Sequence, residues 1–402
     1  MILTIEAKQR IVVRVTLCLC FLGKGILELL NYPMGEFAVS SYTKFHPLTY
    51  LSACLLVGQI FMNWSGIVVF FRQSKAALYY LYTLTLLFIY LILADTGASL
   101  SPLIDTLVVP LVLLICFNSY GNNVKKDAVH LACVLIMINS FLAIYERIMG
   151  VNVFPIQNTY GFVFRSTALL GHPLNNALYS LAFILYYLVI NMSPGKKMIR
   201  IGILLIALVC FGARGCLYTA AISILMLYVL PVSVSYNDYF KRINKLYAIS
   251  LVIVCFSVFV YMVLYTSFGE RLMEASFFDD SADVRLQAIS LLDFNSISEM
   301  LWAKSQDVVD MISYGAGVDI IENFFVVWIL KFGLIFTVIL LFALFYFLRN
   351  KNSIVNVWIK GLLLILFFVA SATNNSLATN TQVLFVLVAL FSFEKDKGLF
   401  VY

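Results

Sequence analysis

The chain has 402 residues, 62% of them hydrophobic and 12% charged, with a mean hydropathy of +0.96. That leaves too little polar surface to cover a soluble globule, so the composition excludes a water-soluble enzyme domain and points to a polytopic membrane protein. The net charge of +6 means little as a total, because its meaning lies in how charge divides between the two faces of a bilayer.

The apolar runs are about 15 to 25 residues long, the length of helices that cross a hydrocarbon core, and the alternation of a membrane β-barrel is absent. The expected fold is therefore all-α. The N-terminal MILTIEAKQR lacks a small-residue cleavage site and reads as the start of an uncleaved first helix. In chain order, spans are expected near 11–30, 47–71, 76–94, 102–117, 127–148, 174–192, 198–212, 216–232, 246–266, 323–348, 354–371 and 379–393, about twelve in all. No internal repeat or separate soluble domain interrupts them, so residues 1–402 read as one membrane domain. The eight cysteines nearly all lie inside apolar runs without paired spacing, which indicates neither a disulfide framework nor a metal site. No cofactor, nucleotide or nucleic-acid motif appears.

The connections alternate in chemistry. One set carries 18 of the 27 Lys and Arg residues, and the other carries the remaining nine together with 16 of the 21 Asp and Glu residues. Because cytoplasmic loops retain basic residues, both termini are expected inside. Two long segments, 149–173 and 267–322, are then extracytoplasmic loops.

Five arginines lie in or beside those outer segments: Arg147, Arg165, Arg214, Arg271 and Arg285. Inner basic residues are explained by topology, whereas outer ones are retained against it. A guanidinium is a planar fork of donors that matches phosphate oxygens, so these side chains suit a lipid-linked phosphate or diphosphate. The alternative for any one of them is a structural pair with an outer acid, which Glu270 and Glu274 offer Arg271 and Glu146 offers Arg147. Lys24 and Glu28, four apart, are expected to pair with each other.

The stretch Gly150 to Ala177 gathers Arg165, Gly171, His172, Pro173, Asn175 and Asn176 where a helix should begin. An outward-starting helix directs unpaired N–H groups and its positive dipole end outward, which favours an anion there. Proline fits the first helical position, where its missing N–H costs nothing. Arg214 sits in Gly212-Ala213-Arg214-Gly215, a tight turn between two spans. His46 and His172 share the contexts FHPL and GHPL, so either can be a helix-start residue; a near-neutral imidazole at His172 also suits substrate binding or proton transfer.

In the second long loop, Val284 to Leu292 has helix-like apolar spacing, and Gly315-Ala316-Gly317 marks a turn. Asp279, Asp280 and Asp283 lack the ligand spacing of a calcium loop and read as a solvated acidic turn. Glu322 stands at the mouth of the next span, where it serves either as a base beside apolar surface or as a carboxylate that suits the helix dipole.

Together these motifs carry a resemblance. FRSTALLGHPLNNA resembles the Arg, Gly, His-Pro, Asn signature of the O-antigen polymerase and O-antigen ligase superfamily of multispanning bacterial inner-membrane proteins. FGARGCLY resembles that family's Ser-Arg-Gly turn, Ser281 to Arg285 its Ser and Arg element, and GAGVDIIENFFVVWILKFGLIF its Gly-x-Gly, His-Asn and late Gly pattern. The matched stretch runs from Arg165 to Gly333, under half the chain.

The resemblance implies a metal-independent, inverting glycosyltransferase whose donor is an oligosaccharide on undecaprenyl diphosphate, working in the lipid bilayer with a chain-length regulator and a flippase as partners. It implies that Arg165 and Arg214 hold the diphosphate, that Arg285 assists, and that His172, Asn175, Asn176 and Asn323 shape the pocket with Glu322. Leu174 intervenes between Pro173 and the first asparagine, Ala213 replaces the usual serine, and Glu322 stands where the ligase branch has histidine. The last departure favours a polymerase over a ligase. A lipid-oligosaccharide flippase is the rival from another class, although such transporters bind near the midplane and the polar groups here cluster outside.

Overall fold

The computed structural model describes residues 4–32, 44–97, 99–154, 164–190, 192–229, 291–292, 300–315, 321–350 and 357–393. Among them the structure consists of helices and their connections, with no strand: α1 Ile5–Cys20, α2 Lys24–Leu29, α3 Pro47–Gln73, α4 Lys75–Leu93, α5 Ser101–Asn118, α6 Asn122–Met149, α7 Pro173–Val189, α8 Pro194–Cys210, α9 Arg214–Val229, α10 Gln306–Gly315, α11 Phe324–Asn350, α12 Val357–Ser371 and α13 Val383–Ser392. Five of these, α3, α4, α5, α6 and α11, are long and apolar enough to cross a membrane. Phe61 and Met62 on α3 are 85% and 88% exposed, an apolar surface that water would not tolerate over any extent.

The expected all-α class holds, and helices lie at the expected spans, apart from 246–266, which falls outside the described residues. Two boundaries differ. The span expected at 11–30 breaks after Cys20, because the Gly23 N–H bonds the Leu169 carbonyl at 2.9 Å instead of continuing the helix. The last span begins at Val383 and not at 379, preceded by a 3-10 turn at Ser376–Ala378. Tertiary hydrogen bonds set both limits, and hydropathy is blind to them.

α7 is the centre of the bundle. Almost every side chain from Pro173 to Leu188 is buried, as befits a helix that is apolar all round. It packs against α6, α8, α9, α12 and α13. A second seam joins α4 to α11, where Tyr80 stacks on Phe347 at 4.9 Å and Tyr90 on Phe336 at 4.3 Å.

One end of the bundle collects the connections expected on a common face. His46 caps α3: its Nδ1 accepts from the Leu48 N–H at 3.1 Å, so Nε2 carries the hydrogen and donates to the Leu22 carbonyl at 3.0 Å. Asp105, in a π-helical turn of α5 at Ile104–Val108, accepts from the His46 N–H at 2.9 Å, from the Thr49 hydroxyl at 2.5 Å and from the Asn380 amide at 2.5 Å. Gln306 donates its N–H to the Thr96 carbonyl at 2.8 Å. At the opposite end, Arg10 of α1 pairs with Asp127 of α6 at 3.3 Å, and Arg349 lies over the Trp358 ring at 5.0 Å.

Candidate functional site

The segment before α7 is held from below by α6. Glu146 is fully buried and accepts three backbone N–H groups: Val153 at 3.0 Å, and Thr167 and Ala168 at 2.9 Å each. Asn139, two turns earlier, accepts from the Leu169 N–H at 3.0 Å. Arg147 donates to the Phe164 carbonyl. The expected pairing of Arg147 with Glu146 thus gives way to a division of labour in which each side chain satisfies the backbone of the same loop. Ala168 sits at φ 40°, a left-handed conformation unusual for a residue with a Cβ, and the Glu146 carboxylate fixes it there.

Within this frame Arg165 is buried against the turn that leads into α9. Its Nε donates to the Phe211 carbonyl at 3.2 Å and its Nη2 to the Gly212 carbonyl at 3.3 Å. The Ser166 N–H adds a bond to the Cys210 carbonyl at 3.2 Å. The two arginines singled out by the sequence are therefore brought together, with Arg165 gripping the carbonyls just before Arg214. That grip also satisfies carbonyls freed at the C-terminus of α8.

His172 is the N-cap residue of α7, and Pro173 takes the first helical position as the sequence suggested. Burial, and then the positive charges of Arg165 and Lys24, push its imidazole down to about 4. At neutral pH the ring is uncharged and can accept a proton. The same electrostatics show that Lys24 lies within reach of His172. Lys24 does pair with Glu28, at 3.7 Å, but it also belongs to this cluster.

Asn176 is fully buried, and its amide donates to the Thr167 carbonyl at 2.6 Å and to the His172 carbonyl at 3.0 Å, locking the helix start to the loop. Asn175, one residue earlier, is partly exposed at the site. Asn323 caps α11 by accepting from the N–H groups of Phe325 at 3.0 Å and Val326 at 3.3 Å, with Glu322 beside it. Arg285 lies outside the described residues, as do Arg271 and the three loop aspartates.

Sequence reading overlooked the connection between α12 and α13, residues 372–382. The Phe324 N–H at the start of α11 bonds the Asn374 carbonyl at 2.9 Å. On the other side, Gly215 lies so close to Thr373 that a Cβ there would come within 2.1 Å of its Oγ1. Glycine after Arg214 is what lets α9 dock on this segment. The connection also holds buried polar atoms without a hydrogen-bond partner among the described residues: Asn374 Nδ2, Ser376 Oγ and both amide atoms of Gln382. Such orphans are rare, and together they make a neutral, hydrogen-bonding wall. The signal was visible as ATNNSLATNTQ, an uncharged polar run between two apolar ones.

No family model matches the chain, and no curated protein is similar to it.

Proposed function

We propose that the protein is a polysaccharide polymerase of the bacterial inner membrane, a multi-pass enzyme of about twelve spans with both termini in the cytoplasm. It extends an O-antigen or related surface glycan on the outer face, moving the growing chain from undecaprenyl diphosphate to the next lipid-linked repeat. The observation that carries this reading is the meeting of Arg165, Lys24, His172 and the turn bearing Arg214 at one end of an apolar bundle. Cations retained at the face that the charge alternation makes external match a diphosphate at the membrane surface.

In this mechanism a sugar hydroxyl of the incoming repeat attacks the anomeric carbon of the growing chain. The bond from that carbon to the diphosphate oxygen breaks, and undecaprenyl diphosphate leaves with the electron pair. A single displacement inverts the anomeric configuration. The cations stabilise negative charge building on the leaving group, and the hydroxyl proton passes to a base, for which neutral His172 and Glu322 are the candidates. Arg165 orders the turn and Arg214 presents its charge from the start of α9.

The test is chain extension in proteoliposomes supplied with the host's lipid-linked repeat. Wild type is expected to build polymer, and Arg214→Ala to insert normally but leave single repeats. Transfer only to a different acceptor would identify a ligase, and movement of the lipid across the bilayer without new glycosidic bonds would identify a flippase.

A further inference from the structure

Polymerisation joins two substrates that each carry a lipid diphosphate, and the cluster around Arg165 and Arg214 accounts for one. The described residues contain a second place where outer cations meet apolar surface. α11 is broken at Gly333, whose φ of 79° is left-handed, and a Cβ there would come within 2.4 Å of the Leu301 carbonyl oxygen. The break lets the segment 301–304 lie against the helix. There the Lys304 N–H takes up the Leu330 carbonyl at 2.8 Å, and the Ala303 N–H bonds the Tyr90 hydroxyl at 2.8 Å. Lys304 is thereby brought beside Lys331, from 27 positions away in the chain.

Both lysines belong to the nine basic residues expected on the outer face, so topology does not explain them. Lys331 lies about two turns inside α11, and helical side chains lean toward the N-terminus, which here is the end that holds the cluster. Its stem lines a cleft with Ser99, Leu103, Trp328, Phe332 and Leu377. Trp302, half exposed, stands beside it. Cation above and apolar wall below is the pattern of a phosphorylated lipid, with the head at the ammonium and the first part of the tail on Leu103 and Phe332.

The connection 372–382 separates the two places. Thr373 touches Gly215 next to Arg214, while Leu377 lines the cleft with Lys331, and the unpartnered amides of Asn374 and Gln382 belong to the same connection. We infer that the cleft between α5 and α11, with Lys331 and Lys304, is a second lipid-diphosphate site, which holds the acceptor while the Arg165 and Arg214 cluster holds the donor. This rests on the polymerase reading.

The experiment counts labelled undecaprenyl diphosphate bound per chain in phosphatidylglycerol nanodiscs. Wild type should bind two, Lys304→Gln/Lys331→Gln one, and Arg214→Gln one. Combining all three changes should abolish binding, and the single site kept by each parent variant reports that it is folded. One labelled lipid on wild type, retained by the lysine variant, would overturn the inference and leave the polymerase reading standing, since the bulk phospholipid would then be filling the cleft. Loss of both sites in either variant would equally overturn it, because the two places would be one. No binding to wild type would remove the polymerase reading beneath it.

Discussion

Arg165 reaches 46 residues along the chain to donate to the carbonyl of Phe211 at 3.2 Å, while its Nη2 takes the carbonyl of Gly212 at 3.3 Å. A lysine keeps the charge but cannot span both oxygens. Arg165→Lys is therefore expected to lower the rate of chain extension roughly 100-fold, in line with the loss of about 3 kcal/mol from two charge-assisted hydrogen bonds. A near-normal rate in proteoliposomes would mean that charge, and not the fork, is what this position supplies.

Glu146 is expected to govern the order of the loop and not its chemistry. Glu146→Gln turns an amide against backbone N–H donors and should cost about 2 to 4 kcal/mol. The readout is faster limited proteolysis between α6 and α7, together with a lower melting temperature in detergent. Ala168→Gly should act in the opposite sense, by about 1 kcal/mol, because glycine adopts the left-handed backbone without strain.

His172 should remain neutral across the physiological range, so its protonation contributes no inflection to the rate near pH 6.5, the ordinary imidazole value. Below that value the unfolded chain binds a proton that the folded chain refuses. The contribution of this residue to stability is therefore intact above about 6.5 and falls as the pH drops toward about 4. Histidine nuclear magnetic resonance in nanodiscs would follow the titration directly. Lys24→Gln should raise the midpoint, since it removes one of the two positive charges that hold the ring neutral.

Gly333→Ala should be the most damaging single change in α11. The left-handed backbone costs alanine about 1 to 2 kcal/mol, and the overlap with the Leu301 carbonyl forces the 301–304 segment off the helix. The fluorescence of Trp302 should change, together with a lower melting temperature. An unchanged emission spectrum would show that the segment stays docked.

Much of the molecule was legible in the sequence. The lengths and spacing of the apolar runs gave the helices, and Pro47 and Pro173 marked two helix starts correctly. The stretch FRSTALLGHPLNNA identified the loop that the bundle is built around. The structure reassigned individual side chains. Asn176 and Asn323 were read as pocket residues, and both tie helix starts to their loops. Asp105 passed unremarked inside an expected span, although a lone carboxylate in an apolar run is itself a signal.

What the sequence decided alone was therefore everything that follows from local periodicity and composition: helical spans, their approximate limits, and the sorting of charge between two faces. Hydrophobic burial and backbone satisfaction act along the chain, so one dimension suffices to read them. Only the tertiary structure decided which polar groups meet. The grip of Arg165 on the α9 turn, the docking of residues 372–382 between α9 and α11, and the approach of Lys304 to Lys331 are contacts between distant segments. Their partners are backbone carbonyls and amides, which every residue carries and no sequence pattern distinguishes.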